Sequence, residues 1–172
     1  MLIAETITKH LGMAAQRPAQ TPTTRQSSPI DPSFSVDVVY TEPEATGASL
    51  RAAALLAQDL HATIHLRALI CVPRQLSLAD PPVSISYFGQ LLGDLVERFG
   101  SAPLEHVLHI YICRSRIETL LGVLGPASLV VVGGRRRPWP TPESRLSKAA
   151  YAAGHSVAFV DPKACCPEVR WL

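Results

Sequence analysis

The sequence predicts an α/β protein, a three-layer sandwich with helices on both faces of a parallel sheet. Three observations carry this. From residue 36 onward, short β-rich runs alternate strictly with segments of helical periodicity over about 126 residues. The connections between them are short, which implies right-handed crossovers onto one sheet. The run Leu129 to Val132 is aliphatic without a break, as expected of a central parallel strand covered on both sides.

Val36-Asp37-Val38-Val39-Tyr40 reads as the first strand of this series. Residues 46–60 place Leu50, Ala53, Ala54, Ala57 and Leu60 on one helical face, with Arg51, Gln58 and Asp59 largely elsewhere. Thr63 to Val72 is β-rich and ends at Pro73, followed by a loop over 74–82. Ile85, Phe88, Leu92, Leu95, Val96 and Phe99 mark a second helix that ends near Gly100. Val107 to Ile112 is the third strand. Ser115 with Glu118 forms a capping box for a helix bearing Ile117, Leu120, Leu121 and Leu124. Thr141-Pro142-Glu143 starts the fourth helix, with Thr141 as N-cap and proline at the first helical position. Val157 to Val160 is the last strand, stopped by Asp161-Pro162.

Outside this frame, residues 1–34 are read as an N-terminal extension. Residues 1–12 have the spacing of a short amphipathic helix, through Leu2, Ile3, Ile7 and Leu11. Of the 21 residues at 13–33, 13 are Ser, Thr, Gln or Pro, too few apolar groups to offset ordering entropy, so a disordered tail is expected there. The folded domain is expected over 35–162, with 163–172 as a C-terminal tail.

Composition narrows the function. Hydrophobic residues make up 47% and aromatics only 6%, so the core is aliphatic. A net charge of +2 does not mark a nucleic-acid binder, and no nucleic-acid partner is expected. The basicity is local: residues 133–148 hold five Lys/Arg against one Glu. The 18 residues from Ile117 to Gly134 carry one charge, but Gly125-Pro126 and the paired glycines fit a helix and a buried strand better than a membrane span. The four cysteines form no CxxC pair and no secretory signal is apparent, so a reduced, cytoplasmic protein is expected.

In open α/β sheets, ligands bind beyond the carboxyl ends of the strands where strand order reverses, which points to loops 40–46 and 133–142. The second loop reads Gly133-Gly134-Arg135-Arg136-Arg137-Pro138-Trp139-Pro140. Glycines allow close backbone approach, the following helix offers N–H groups, and arginines add charge and forked donors. An anion site or a solvated basic loop both fit this composition. His106 and His109 fall on opposite faces of a strand, and His61 with His65 straddle a helix–strand junction, so no shared metal site is expected. Cys71 and Cys113 each close a strand. They are read as buried inert thiols, with a redox pair as the alternative. No nucleophile elbow, HExxH or Walker A motif is present.

The segment Ser128-Leu-Val-Val-Val-Gly133-Gly134, the polar loop and Ser-bearing helix start after it, and the closing strand at Val157 resemble the universal stress protein family. So does Ser49-Leu50-Arg51-Ala52-Ala53 after the first strand. The resemblance spans roughly 36–161. It implies the fold of the wider adenine-nucleotide α-hydrolase-like group, a five-stranded parallel sheet in the order 3-2-1-4-5. It also implies ATP as cofactor, through a motif Gly-x2-Gly-x9-Gly-Ser/Thr around the phosphates. Here the first glycine matches Gly133, whereas the second falls on Arg136, the third on Leu146 and the hydroxyl on Ser147, or on Ser144 with a shorter loop. The family's acidic residue near the nucleoside falls near Thr41 or Glu42. A regulatory or protective domain that binds a ligand or protein partner is therefore expected, not an enzyme, with ATP binding weak or absent. The alternative is an ATP-binding member using Thr41, Glu42, Gly133, Gly134, Arg136, Ser144 and Ser147. A homodimer through the Val157–Val160 edge is also implied.

Overall fold

A computed structural model describes residues 3–5, 34–58, 62–100, 104–163 and 169–172. Strands are β1 (Ile3–Glu5), β2 (Ser35–Val39), β3 (Thr63–Cys71), β4 (His106–Cys113), β5 (Leu129–Gly133), β6 (Ser156–Val160) and β7 (Val169–Trp171). Helices are α1 (Pro43–Gln58), α2 (Ile85–Phe99), α3 (Arg116–Val123) and α4 (Pro142–Ala152). The five strands β2 to β6 run parallel in the spatial order β4-β3-β2-β5-β6. Numbered along the parallel series, that is 3-2-1-4-5, the order expected above, and the four helices lie where the periodicity placed them.

The caps explain where the helices begin. Ser84, Ser115 and Thr141 each sit in extended backbone and accept the N–H three residues on, from Tyr87, Glu118 and Ser144. Register divides the strand residues between two faces. Val36, Val38, Ile64, Leu66, Leu108, Ile110 and Val131 pack with α1 and α2. Val39, Leu69, Tyr111, Val130, Val132 and Val157 pack with α3 and α4.

Two expectations at the ends of the chain are corrected. Ile3–Glu5 is not helical: it forms β1, antiparallel to β4 with Ile3 opposite Ile112. The rest of the 1–12 helix and the 13–33 tail lie outside the described residues. Residues 169–171, expected in a tail, form β7, antiparallel to β6 with Ala158 opposite Trp171 and Val160 opposite Val169. The Val157–Val160 strand is thus an inner strand, and its backbone groups are paired within the chain. It is not the free edge on which the expected homodimer was placed. The sheet ends instead in two three-residue antiparallel strands, short enough to offer little template for further pairing.

Candidate functional site

The reversal of strand order between β2 and β5 brings Thr41 and Gly133 together. The Thr41 hydroxyl donates to the Gly133 carbonyl at 2.9 Å, and the Thr41 N–H donates to Thr46 Oγ1 at 3.1 Å. The protein's own groups take up the polar atoms nearest the crevice. Gly133 owes its identity to packing: an added Cβ would lie 2.6 Å from Ser49 Oγ and closer still to the Ala45 carbonyl of α1. Gly134 is similarly confined, by Glu143 and Phe159, and its N–H donates to the Val160 carbonyl at 3.0 Å.

The other site residues are also engaged. The Ser144 hydroxyl donates to the Thr141 carbonyl at 2.9 Å, while its N–H is capped by Thr141 Oγ1 at 3.2 Å. The buried Ser147 hydroxyl donates to the Glu143 carbonyl at 2.9 Å. Pro142, next to the cap, has no N–H to offer. The Arg136 N–H reaches Asp161 Oδ2 at 3.4 Å, and Arg135 Nη2 lies 3.4 Å from Glu44 Oε2. What remains uncommitted at this edge is mostly side-chain charge.

Five of the seven predicted site residues line two adjoining hollows, and Gly133 and Gly134 line neither. Arg136, Ser144 and Ser147 line a cavity of about 450 Å³ together with Trp139, Lys148 and Trp171. Thr41 and Glu42 line a smaller one of about 250 Å³ with Glu143. Arg135 and Arg137 border both. All three consecutive arginines line the larger cavity. Trp171 is a wall that sequence reasoning missed, because it arrives on β7.

A second group of polar residues, also missed, lies on the α3/α4 face of the sheet. Asp37 of β2 is 1% exposed and Arg67 of β3 is 7% exposed. Arg67 Nε donates to Asp37 Oδ1 at 2.6 Å, and Arg67 Nη1 donates to Tyr111 Oη at 2.9 Å. Asp37 Oδ2 has no hydrogen-bond partner among the described residues. Beside them the His65 and His109 rings stack at 5.1 Å, with Nδ1 of the first 3.3 Å from Nε2 of the second. Burial pushes both imidazoles down, and Arg67 adds to the effect. His109 falls to about 4, with His65 as a further cause. The signal in the sequence was a single charge within each apolar run, Asp37 in one and Arg67 in the other. Only the register brings them together.

His106 and His109 alternate across β4, His109 facing Tyr111 and His106 lying by Gly100 at the end of α2. His61 lies outside the described residues. Among those residues no group of three or more His, Cys, Asp or Glu is placed to hold a metal ion, and no helix is long and apolar enough to cross a membrane.

No family model and no curated protein matches the chain. Among solved structures, it is similar to a universal stress protein from Archaeoglobus fulgidus, at 11% identity and a TM-score of 0.45. That match covers 73% of this chain and 92% of the other.

Proposed function

We propose that this chain is a universal-stress-type binding domain that acts through a ligand or protein partner without turnover, and that arginine side chains hold any anion it takes. The observation that carries this reading is the commitment of the backbone and hydroxyl groups at the β2/β5 crevice. Gly134 N–H, Thr41 Oγ1, Ser144 Oγ and Ser147 Oγ all donate within the chain. A phosphate cradle built from main-chain N–H groups needs those donors free and needs glycine where Arg136 and Leu146 stand. Arg135, Arg136, Arg137 and Lys148 instead offer exposed charge around the larger cavity. Charge of that kind attracts phosphate or carboxylate, and salt screens it. ATP binding is accordingly weak or absent.

Calorimetric titration of ATP at low and at physiological salt tests this. Any affinity seen at low salt should collapse at physiological salt. Arg136→Ala should lower it about tenfold, the loss of one charge-assisted hydrogen bond. Micromolar binding indifferent to both salt and the substitution would favour the ATP-binding alternative, with a backbone cradle formed when nucleotide enters.

A further inference from the structure

We infer that Cys71 and Cys113 are a reversible dithiol–disulfide pair, a modification site that staples the carboxyl ends of β3 and β4. The inference rests on register. Cys71 is directly opposite Cys113 in the parallel β3/β4 ladder. Leu69 and Tyr111, the pair two positions earlier in register, pack together with Cys113 beneath α3, so side chains of this row share one face. Adjacent strands run about 4.8 Å apart, inside the range of about 4.4–6.8 Å between Cα atoms that a disulfide accepts. Burial pushes the Cys113 thiol up, and Cys71 and Thr119 lie close enough to influence it. The Cys71 thiol in turn donates to the Arg114 carbonyl at 3.4 Å.

The two thiols differ in a way that suits a two-step oxidation. Cys71 is exposed at the last position of β3, against the expectation that both would be buried, whereas Cys113 is buried at 3% exposure. Cys71 meets a hydroperoxide first. Its thiolate sulfur attacks one peroxide oxygen, the O–O bond breaks, and hydroxide leaves as water after taking a proton. Cys71 is then a sulfenic acid. The sulfur of Cys113 attacks the Cys71 sulfur, the S–O bond breaks, and the departing hydroxide takes the Cys113 proton as a second water. Two thiols have become one disulfide, and one hydrogen peroxide has become two waters. A dithiol reductant reverses the change by exchange.

The bond would fall where the loop after β3 leaves the sheet. Arg114 already ties that loop down: Nη1 donates to the Val72 carbonyl at 3.0 Å and contacts that of Pro73, and Nη2 donates to the Leu76 carbonyl at 2.7 Å. The covalent link would close the whole β3–α2–β4 crossover.

The test treats the full chain with hydrogen peroxide, blocks remaining thiols by alkylation, and maps peptides without reduction. The expected product is a cross-linked peptide pair containing Cys71 and Cys113, lighter by two hydrogens and lost on adding dithiothreitol. Its formation should raise Tm by about 5 °C. Peroxide should give no such rise in Cys71→Ser, a surface change that leaves the fold intact, and should still give it in the Cys165→Ser/Cys166→Ser double variant. Cys71 ending as a sulfinic acid beside an alkylatable Cys113 would overturn the proposal. So would cross-links that run only to Cys165 or Cys166, or a Tm that does not move when the Cys71–Cys113 bond forms.

Discussion

The two faces of the sheet are built from the same strands yet differ in chemistry. On one face α1 and α2, of 16 and 15 residues, cover an aliphatic surface. On the other, α3 and α4 have 8 and 11 residues. An eight-residue helix is about 12 Å long and the eight-residue β4 about 26 Å. Leu120 of α3 packs over Leu69, Tyr111 and Cys113, at the carboxyl half of the strands. Further toward the amino ends stand Asp37, Arg67 and the half-buried His65 and His109. Helix length and polarity go together here. Where a helix spans the strands, the face is a hydrocarbon layer. Where it stops short, polar side chains pair with one another instead, through Asp37–Arg67, Arg67–Tyr111 and His65–His109.

The difference breaks most sharply at Arg67. Arg67→Met leaves the Asp37 carboxylate buried without its partner and should cost about 3–5 kcal/mol in urea denaturation. Adding Asp37→Leu should restore most of that loss, since it removes the stranded charge. A double variant as unstable as the single would mean that the face depends on the ion pair itself.

Gly133→Ala probes the opposite face, where α1 approaches β5 so closely that a methyl group meets Ala45 and Ser49. The expected loss is about 2–3 kcal/mol, from backbone displacement in a packed layer. The Thr41 hydroxyl bond to the Gly133 carbonyl should weaken with it, and easier local opening of the β2/β5 loops would show as faster amide exchange at Thr41. A neutral effect would show that the α1 face yields more readily than its packing suggests.

The smallest effect is a pH dependence confined to the polar face. His65 and His109 are held neutral in the folded chain, with folded pKa values below the usual 6.5 and about 4 for His109. The unfolded chain therefore takes up protons first as pH falls. The stability these residues contribute is full above pH 6.5 and is lost as pH drops toward 4. Screening by solvent at these half-buried rings reduces the effect to about 1–2 kcal/mol. His109→Gln should flatten the stability profile in that window, measured by denaturation at successive pH values. An unchanged profile would place the titration elsewhere.

Much of the architecture was legible along the chain. Alternating periods announced five strands and four helices, and Ser115, Thr141 and Pro142 marked helix starts through local chemistry. The strand order needed the family resemblance, because periodicity says which residues face inward but not which strands are neighbours. The loop carrying the arginines was legible as charge. That its backbone donors were already spent was not, since their acceptors, Val160 for Gly134 and Asp161 for Arg136, come from another strand end.

By itself, then, the sequence determined the layered α/β class, the aliphatic core and the local basicity at 133–148, all properties of neighbouring residues or of composition. Tertiary structure alone decided the rest. It turned Val157–Val160 from an edge into an inner strand, because a three-residue strand such as β7 carries no period of its own and forms only against its partner. It joined Asp37 to Arg67 and set Cys71 opposite Cys113, because side chains far apart in sequence meet only when the register of two strands is fixed, and a shift of one residue would send each to the other face.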